Sequence, residues 1–405
     1  MPAVIANLDF VKEKNISAVF KIIVEQRAIS RIQIARQCQL AAGSVTRIIR
    51  QLIDSGLVRE IEAQNSDRGR PAVSLTANTG DIHILAISAG RHNIHFSLCD
   101  LSGNLLAEQN DPLTASTPEH YVQQITGTAQ SFLKKQEKIT KKLIGIGITT
   151  PGLVHSKTGV VHYMPHMRAH NLPLAEELTN TTGLPCFACN FSSAIALAEH
   201  MLETTYKCAN TVLVSVHNGV GSGMILDGRL YEGSSLAAGE IGHIQIDPFG
   251  VQCYCGNFGC LESYVSNKAI EERCHQQVKA GVPSILTASS NIKEICRAAN
   301  QSDELAIALL RKAASDLGRV MAMSINLLSP EKIILAGEIT EAFDVIEPVI
   351  RQSLKQQTVS FFDAPEIQLV KSDMYSKRWL GAYALVRRAL LEQGLLWQIL
   401  KQDLR

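Results

Sequence analysis

No apolar run in this 405-residue sequence reaches the roughly 18 residues that a membrane-spanning helix needs. The opening stretch, MPAVIANLDFVKEKN, also lacks the basic-then-apolar layout of a signal peptide. The expected location is therefore the cytoplasm, with no membrane span. An excess of one charge is missing too: 39 Lys and Arg stand against 38 Asp and Glu, so net charge alone says nothing about partners. Ten cysteines scattered over so long a chain do not form the dense framework of a small secreted domain, and any that cluster are better read as metal ligands. With 46% hydrophobic and 19% charged residues the chain can bury a large core and is long enough for roughly two to three domains.

By segment, charge is more informative. Residues 1–75 hold eleven Lys and Arg against seven Asp and Glu, which favours an anionic partner at that end. Within it, residues 11–25 read as an amphipathic helix with Val11, Ile16, Val19, Phe20, Ile23 and Val24 on its inner side. Ser30 is placed to cap a short helix through Cys38. Ala41, Ala42 and Gly43 then read as a turn, and Ser44 as the cap of a second helix that Gly56 ends. This is a helix-turn-helix. Val45, Ile48, Ile49 and Leu52 face inward, leaving Ser44, Thr46, Arg47 and Arg50 outward with lengths and donors that suit base edges and phosphates in a major groove.

The stretches LVREIEA and PAVSLTA read as two strands around QNSDRG, the wing of a winged helix. On its far side, Arg68, Gly69 and Arg70 precede a proline. They share the core of the AT-hook, in which extended arginines flank a glycine small enough for the floor of a narrow A·T minor groove. The competing reading is a hinge with solvated arginines.

From Ile82 onward, three strands are followed by alternating helices and strands, and the pattern then repeats. It implies two α/β lobes with a ligand cleft between them. The expected division is 1–80 for the winged helix and linker, 81–194 with 382–405 for the first lobe, and 195–381 for the second. In the second lobe, GEIGHIQIDPFGVQCYCGNFGCLES places His243, Cys253, Cys255 and Cys260 in a His-x9-Cys-x-Cys-x4-Cys pattern. Three thiolates and an imidazole suit one closed, structural, tetrahedral Zn²⁺ per chain; a disulfide or packed free thiols are the alternatives.

The Glu-x-Gly-His motif followed by Cys-x-Cys-Gly-x3-Cys-x-Glu resembles the ROK family of repressors and sugar kinases, over nearly the whole chain. The resemblance implies an actin-like, two-lobed sugar-kinase fold behind the winged helix. The added winged helix is similar to the repressor branch, the NagC and Mlc type. SRIQIA, HYMPH, GEIGHIQ and CGNFGCLE lean towards the first of these and RGRPAV towards the second.

The resemblance further nominates Asn190, Glu240, His243 and Glu262 as sugar contacts, with one nitrogen of His243 on zinc and the other on a hydroxyl. The alternative is that Glu240 and Glu262 merely orient zinc ligands. The family's kinases carry an Asn-Asp pair where this chain has Asn190 and Phe191, and an Asp where it has Ser88. A phenyl ring cannot accept a proton, so the resemblance implies a sensor rather than an enzyme. The different-class alternative is a ROK sugar kinase with a DNA-binding appendage. Of the second glycine loop, Gly219, Gly221 and Gly223 survive, and glycines serve plain hairpin turns as well.

The resemblance therefore implies a homo-oligomeric repressor of sugar-uptake genes, of phosphotransferase-system type, on a palindromic operator with an A·T-rich flank, nucleoid-associated when bound. Release is by a phosphorylated amino sugar, N-acetylglucosamine-6-phosphate, or by capture on the cytoplasmic domain of the glucose permease. The final run, LLEQGLLWQILKQDLR, is amphipathic and fits either lobe packing or a role in oligomerisation or release.

Overall fold

In a computed structural model, which describes residues 8–62, 73–203, 208–234, 237–359 and 367–403, the chain begins with α1 (Leu8–Gln26). Ile16, Val19, Phe20 and Ile23 form its buried stripe. Val11, expected inward, is 41% exposed, because at 3.6 residues per turn it stands roughly 130° away from that stripe.

The next helix, α2 (Arg31–Cys38), starts with a full capping box. The Ser30 hydroxyl accepts from the Gln33 N–H, and the Gln33 side chain accepts in return from the Ser30 N–H. It stops at Gln39, which adopts a left-handed conformation with φ 54°. The following helix, α3 (Ala42–Asp54), begins earlier than the sequence implies. Ala41 is its N-cap, and the Ala41 carbonyl already accepts from the N–H groups of Ser44 and Val45 at 2.9 and 3.1 Å. Gly43 takes an ordinary helical φ, so the expected turn is the first turn of the helix and Ser44 is not a cap.

At the other end, Gly56 with φ +72° lets the chain reverse. Leu57 N–H bonds to Leu52 C=O and Gly56 N–H to Ile53 C=O, the paired bonds of a Schellman motif. Strands β1 (Val58–Glu62) and β2 (Val73–Ala77) then pair antiparallel from Val58↔Ala77 to Glu62↔Val73. Arg68, Gly69 and Arg70, which fall between them in sequence, lie outside the described residues.

The first large sheet follows: β3 (Ile82–Ala89), β4 (Asn93–Asp100) and β5 (Leu105–Pro112) run as an antiparallel meander. Helix α4 (Pro118–Lys135) leads to β6 (Lys142–Thr150), which pairs parallel to β3. A small sheet of β7 (Leu153–His155), β8 (Val160–Met164) and β9 (Ala169–Leu172), then α5 (Leu174–Thr182), lead to β10 (Cys186–Asn190). The order across the sheet is β10-β6-β3-β4-β5. Phe96, Tyr121 and Phe132 fill its core.

Helix α6 (Phe191–Leu202) opens a second set: β11 (Thr211–Val216), β12 (Val220–Leu226) and β13 (Arg229–Tyr231). A long irregular loop is followed by α7 (Glu262–Val265), α8 (Asn267–Lys279), α9 (Ile292–Asn300) and α10 (Glu304–Leu328). Next come β14 (Lys332–Gly337), α11 (Phe343–Gln357) and β15 (Gln368–Lys371). This sheet runs β13-β12-β11-β14-β15, the same order as the first, with β14 parallel to β11. The fold is α/β, built on two sheets of one plan.

The chain ends in α12 (Trp379–Glu392) and α13 (Leu395–Asp403). Leu395, Leu396, Ile399 and Leu400 are buried, and the segment pairs with α1 through Lys21 and Glu392 at 2.7 Å and Lys401 and Asp9 at 3.5 Å. The terminal apolar run is thus packed within the unit that holds the N-terminal helices.

Two units emerge: residues 1–189 with 382–405, and residues 190–381. The division falls at Asn190 rather than at 195, and the winged helix groups with the first large sheet. Among the described residues, no helix is long and apolar enough to cross a membrane.

Candidate nucleic-acid interface and metal centre

Helix α3 is amphipathic in the strict sense. Val45, Ile48, Ile49 and Leu52 are buried at i, i+3, i+4 and i+7, and packing them turns Thr46, Arg47 and Arg50 to the exposed side. Ser44 is half-buried. The Thr46 hydroxyl donates to the Ala42 carbonyl at 2.9 Å, which leaves its oxygen free to accept. Arg31, on α2, is committed to Glu60 on the ribbon at 2.5 Å and braces the two against each other. The outward cations of α3 are therefore presented by a scaffold that buried apolar contacts and one ion pair hold in place.

The predicted metal ligands converge. One ligand atom from each of His243, Cys253, Cys255 and Cys260 lies within 4.8 Å of all the others. Sγ of Cys255 and Sγ of Cys260 are 3.7 Å apart, as are Sγ of Cys253 and Nδ1 of His243. A tetrahedral metal with arms of about 2.3 Å has an S–S edge of about 3.75 Å, whereas a disulfide is about 2.05 Å long. The donor set fits a tetrahedral ion, and all ten cysteines are free thiols. Burial and the neighbouring thiols push Cys260 up to about 12; a cation at the centre would reverse that.

The loop that carries these ligands has almost no regular structure and is shaped by backbone hydrogen bonds. Cys253 N–H bonds to Asn257 C=O at 2.7 Å, Ile246 N–H to Gly259 C=O at 2.8 Å, and Tyr264 donates its hydroxyl to Asp247 at 3.1 Å. Gly259 is obligatory: its φ is +64°, and a Cβ there would sit 1.6 Å from the Asp247 carbonyl oxygen.

Three of the four nominated sugar contacts gather beside this centre. Nε2 of His243 lies 3.1 Å from the Tyr254 hydroxyl and 3.9 Å from the Glu240 carboxylate. With Nδ1 on a metal, Nε2 must carry the proton and donate. Tyr254 joins the site unannounced by any motif of its own; its position between the two cysteines of Cys-x-Cys is the one signal the sequence offers. Burial, and the nearby Glu262 carboxylate, raise Glu240 above the usual carboxylate range, against the opposing pull of His243. Glu262 is buried and accepts from the Val220 N–H at 2.7 Å, so one of its oxygens is spent on the glycine hairpin.

Asn190 is the N-cap of α6, its side chain accepting from the Ser193 N–H at 2.8 Å. The three loop glycines have packing reasons: Gly219 faces the Glu262 carboxylate, and Gly221 and Gly223 let Ser192 and Ala196 of α6 approach the sheet.

A family model for ROK proteins matches residues 84–389. The chain belongs to the ROK family. This ROK chain is 40% identical over 400 residues to the DNA-binding transcriptional dual regulator NagC of Escherichia coli strain K12, covering 98% of each. It is 32% identical over 398 residues to the DNA-binding transcriptional repressor Mlc of the same strain, again covering 98% of each. Among solved structures, a ROK family transcriptional regulator homologous to E. coli Mlc superposes with a TM-score of 0.89 at 35% identity, over 96% of this chain and 99% of that one.

The ROK chain holds one further constellation that no sequence motif announces. At the C-terminal ends of the parallel strands β11 and β14, Glu338 accepts from His217 at 2.6 Å, Asn267 at 2.9 Å and Tyr375 at 3.2 Å. Burial opposes ionisation of Glu338, but the His217 and Asn267 contacts prevail and hold it down at about 2. Phe191 packs edge-on against Tyr375, with ring centroids 5.7 Å apart. A permanent carboxylate with an aromatic wall occupies strand ends where α/β folds commonly place ligands. The residues lie 121 positions apart in the case of His217 and Glu338, which is why no local motif announced them.

Proposed function

We propose that this ROK protein is a transcriptional repressor of bacterial sugar-uptake and utilisation genes, of the phosphotransferase-system type. The observation that carries the reading is the exposed Thr46, Arg47 and Arg50 stripe on the second helix of a helix-turn-helix, in a chain similar from end to end to NagC and Mlc. Arg47, Arg50, Thr46 and Ser44 read the major groove, and Arg68 and Arg70, with Gly69 between them, enter the adjacent minor groove. It works in the cytoplasm as a homodimer or tetramer, whose two-fold symmetry matches a palindromic operator.

The protein is a sensor, not a kinase. Phe191 stands where the family's kinases are expected to carry the aspartate that accepts the sugar proton, and Ser88 stands where they carry another. The metal at His243, Cys253, Cys255 and Cys260 is Zn²⁺, supported by a soft, tetrahedral donor set with all four positions filled by protein. When bound, zinc fixes the loop and removes the thiol protons. Glu240, Glu262 and the Nε2 side of His243 then face a sugar-related effector, while Asn190 supports the site from the start of α6. N-acetylglucosamine-6-phosphate is the favoured effector, because identity to NagC exceeds identity to Mlc. An effector releases DNA only by binding better to a conformation that holds DNA less well.

The test is fluorescence anisotropy on operator DNA, titrating N-acetylglucosamine-6-phosphate in one arm and the unphosphorylated glucose-permease domain in the other. Release by the sugar phosphate is expected. Release by the permease domain alone overturns the effector assignment, and absence of DNA binding overturns the repressor reading.

A further inference from the structure

The carbonyls at the end of a helix have no partner inside it, and each must find a donor elsewhere. Helix α3 finds one of its donors outside the winged helix and is steadied by a second from the end of the ribbon. The Ser55 carbonyl, at the C-cap, accepts from the ammonium of Lys142 at 2.9 Å. The next carbonyl, of Gly56, accepts from the side-chain amide of Asn78 at 2.8 Å, and Asn78 N–H bonds in turn to Leu57 C=O at 2.9 Å. Lys142 is the first residue of β6, and its N–H bonds to the Asp81 carbonyl at 3.0 Å, which ties it to the base of β3. A half-buried cation thus sits at the negative end of the α3 dipole, carried on a strand of the first large sheet.

We infer that Lys142 is a positioning residue for DNA recognition: by clamping the C-cap carbonyl of α3 to β6, it sets the pose in which α3 meets DNA. The inference rests on the reading of α3 as the DNA-facing helix. Lys142 touches α3 at the end opposite the N-terminal half that carries Ser44, Thr46 and Arg47, so it acts through the tilt of the helix and not through contact with bases. Strand β6 continues from this anchor to Thr149 and Thr150 at the far end of the sheet, and a shift of β6 is felt directly by α3.

The test compares the full-length protein with Lys142→Met, which keeps the stem and removes the donor, with Lys142→Arg, and with Arg47→Ala. Each is measured on an operator duplex and on a scrambled duplex across a salt series, alongside thermal unfolding. For Lys142→Met the clamp predicts operator affinity about ten-fold weaker, with scrambled-DNA affinity, salt slope and melting temperature unchanged, and recovery in Lys142→Arg. Asn78→Leu should shift operator affinity in the same direction.

Arg47→Ala should instead lower the salt slope by about one if it holds a phosphate. Unchanged operator affinity in Lys142→Met overturns the inference. So does an equal loss on both duplexes with a lower melting temperature, which marks a merely structural lysine, and so does a reduced salt slope, which marks a direct phosphate contact. If Arg47→Ala binds as tightly as the parent, the reading of α3 itself fails, independently of Lys142.

Discussion

Helix α3 and the cysteine loop between Glu240 and Glu262 are both built to present side chains, yet they are made rigid by opposite means. In α3, four buried aliphatics and the Schellman turn at Gly56 hold the helix, and the presented Arg47 and Arg50 are exposed and outside that packing. In the loop, backbone hydrogen bonds and the turn at Gly259 set the shape, and the residues able to hold a metal, His243, Cys253, Cys255 and Cys260, belong to that same frame. The difference teaches that surface substitution should separate function from stability in the first region and cannot do so in the second.

The largest expected effect breaks the second region alone. Stripping the metal with a chelator, or replacing Cys260 with Ser, should lower the unfolding midpoint of the 190–381 unit by on the order of 10 °C while the helical signal of the N-terminal helices persists. Differential scanning calorimetry with and without chelator reads this, and a single unchanged transition would contradict it. Next in size, Arg47→Ala should cost about 1–3 kcal/mol of operator affinity with no change in melting, as expected for a side chain that α3 only displays.

These two contrasts also mark what was legible. The Ser30 cap, the inward stripe of α3, the ribbon and the ligand spacing were all visible, because each depends on residues within about twenty positions of one another. The repeat of three strands followed by alternating helices and strands was visible for a similar reason, since both halves reuse one local pattern; the order in which the strands pair across each sheet was not. Ser44 misled because a serine after Ala-Ala-Gly resembles a cap, and only the Ala41 carbonyl shows that the helix has already begun. The contact of Tyr254 with His243 was not visible because an irregular loop has no periodicity from which side-chain directions can be read. His217 and Asn267 with Glu338 were not visible because their segments, 121 and 71 positions apart in sequence from Glu338, meet only once the sheet has formed.

The last of these clusters, around Glu338, sharpens the comparison further, because it is a polar site held by hydrogen bonds between side chains alone. Glu338 is held at about 2 against an ordinary 4.5, so its contribution to stability is fully present above about pH 4.5 and is lost as pH falls through about 2. The stability difference between the parent and Glu338→Gln, on the order of 1 kcal/mol after screening, should therefore shrink across that window. Urea denaturation at stepped pH reads the difference; a gap that widens towards acid would contradict the assignment.

The smallest effect concerns Asn190. As an N-cap it should cost about 1 kcal/mol when replaced by Ala and almost nothing when replaced by Asp. Equal losses in both variants, read by thermal melts, would show that capping is not its main contribution.

The central claim, a DNA reader on a kinase-like scaffold, is tested most directly by selecting duplexes from a randomised pool with the full chain and measuring anisotropy on the winner across a salt series. The account predicts an enriched palindrome, bound with a steep loss of affinity as salt rises and weakened by Arg47→Ala. Failure to enrich any sequence, together with phosphorylation of a sugar by the same preparation when ATP is supplied, would contradict it.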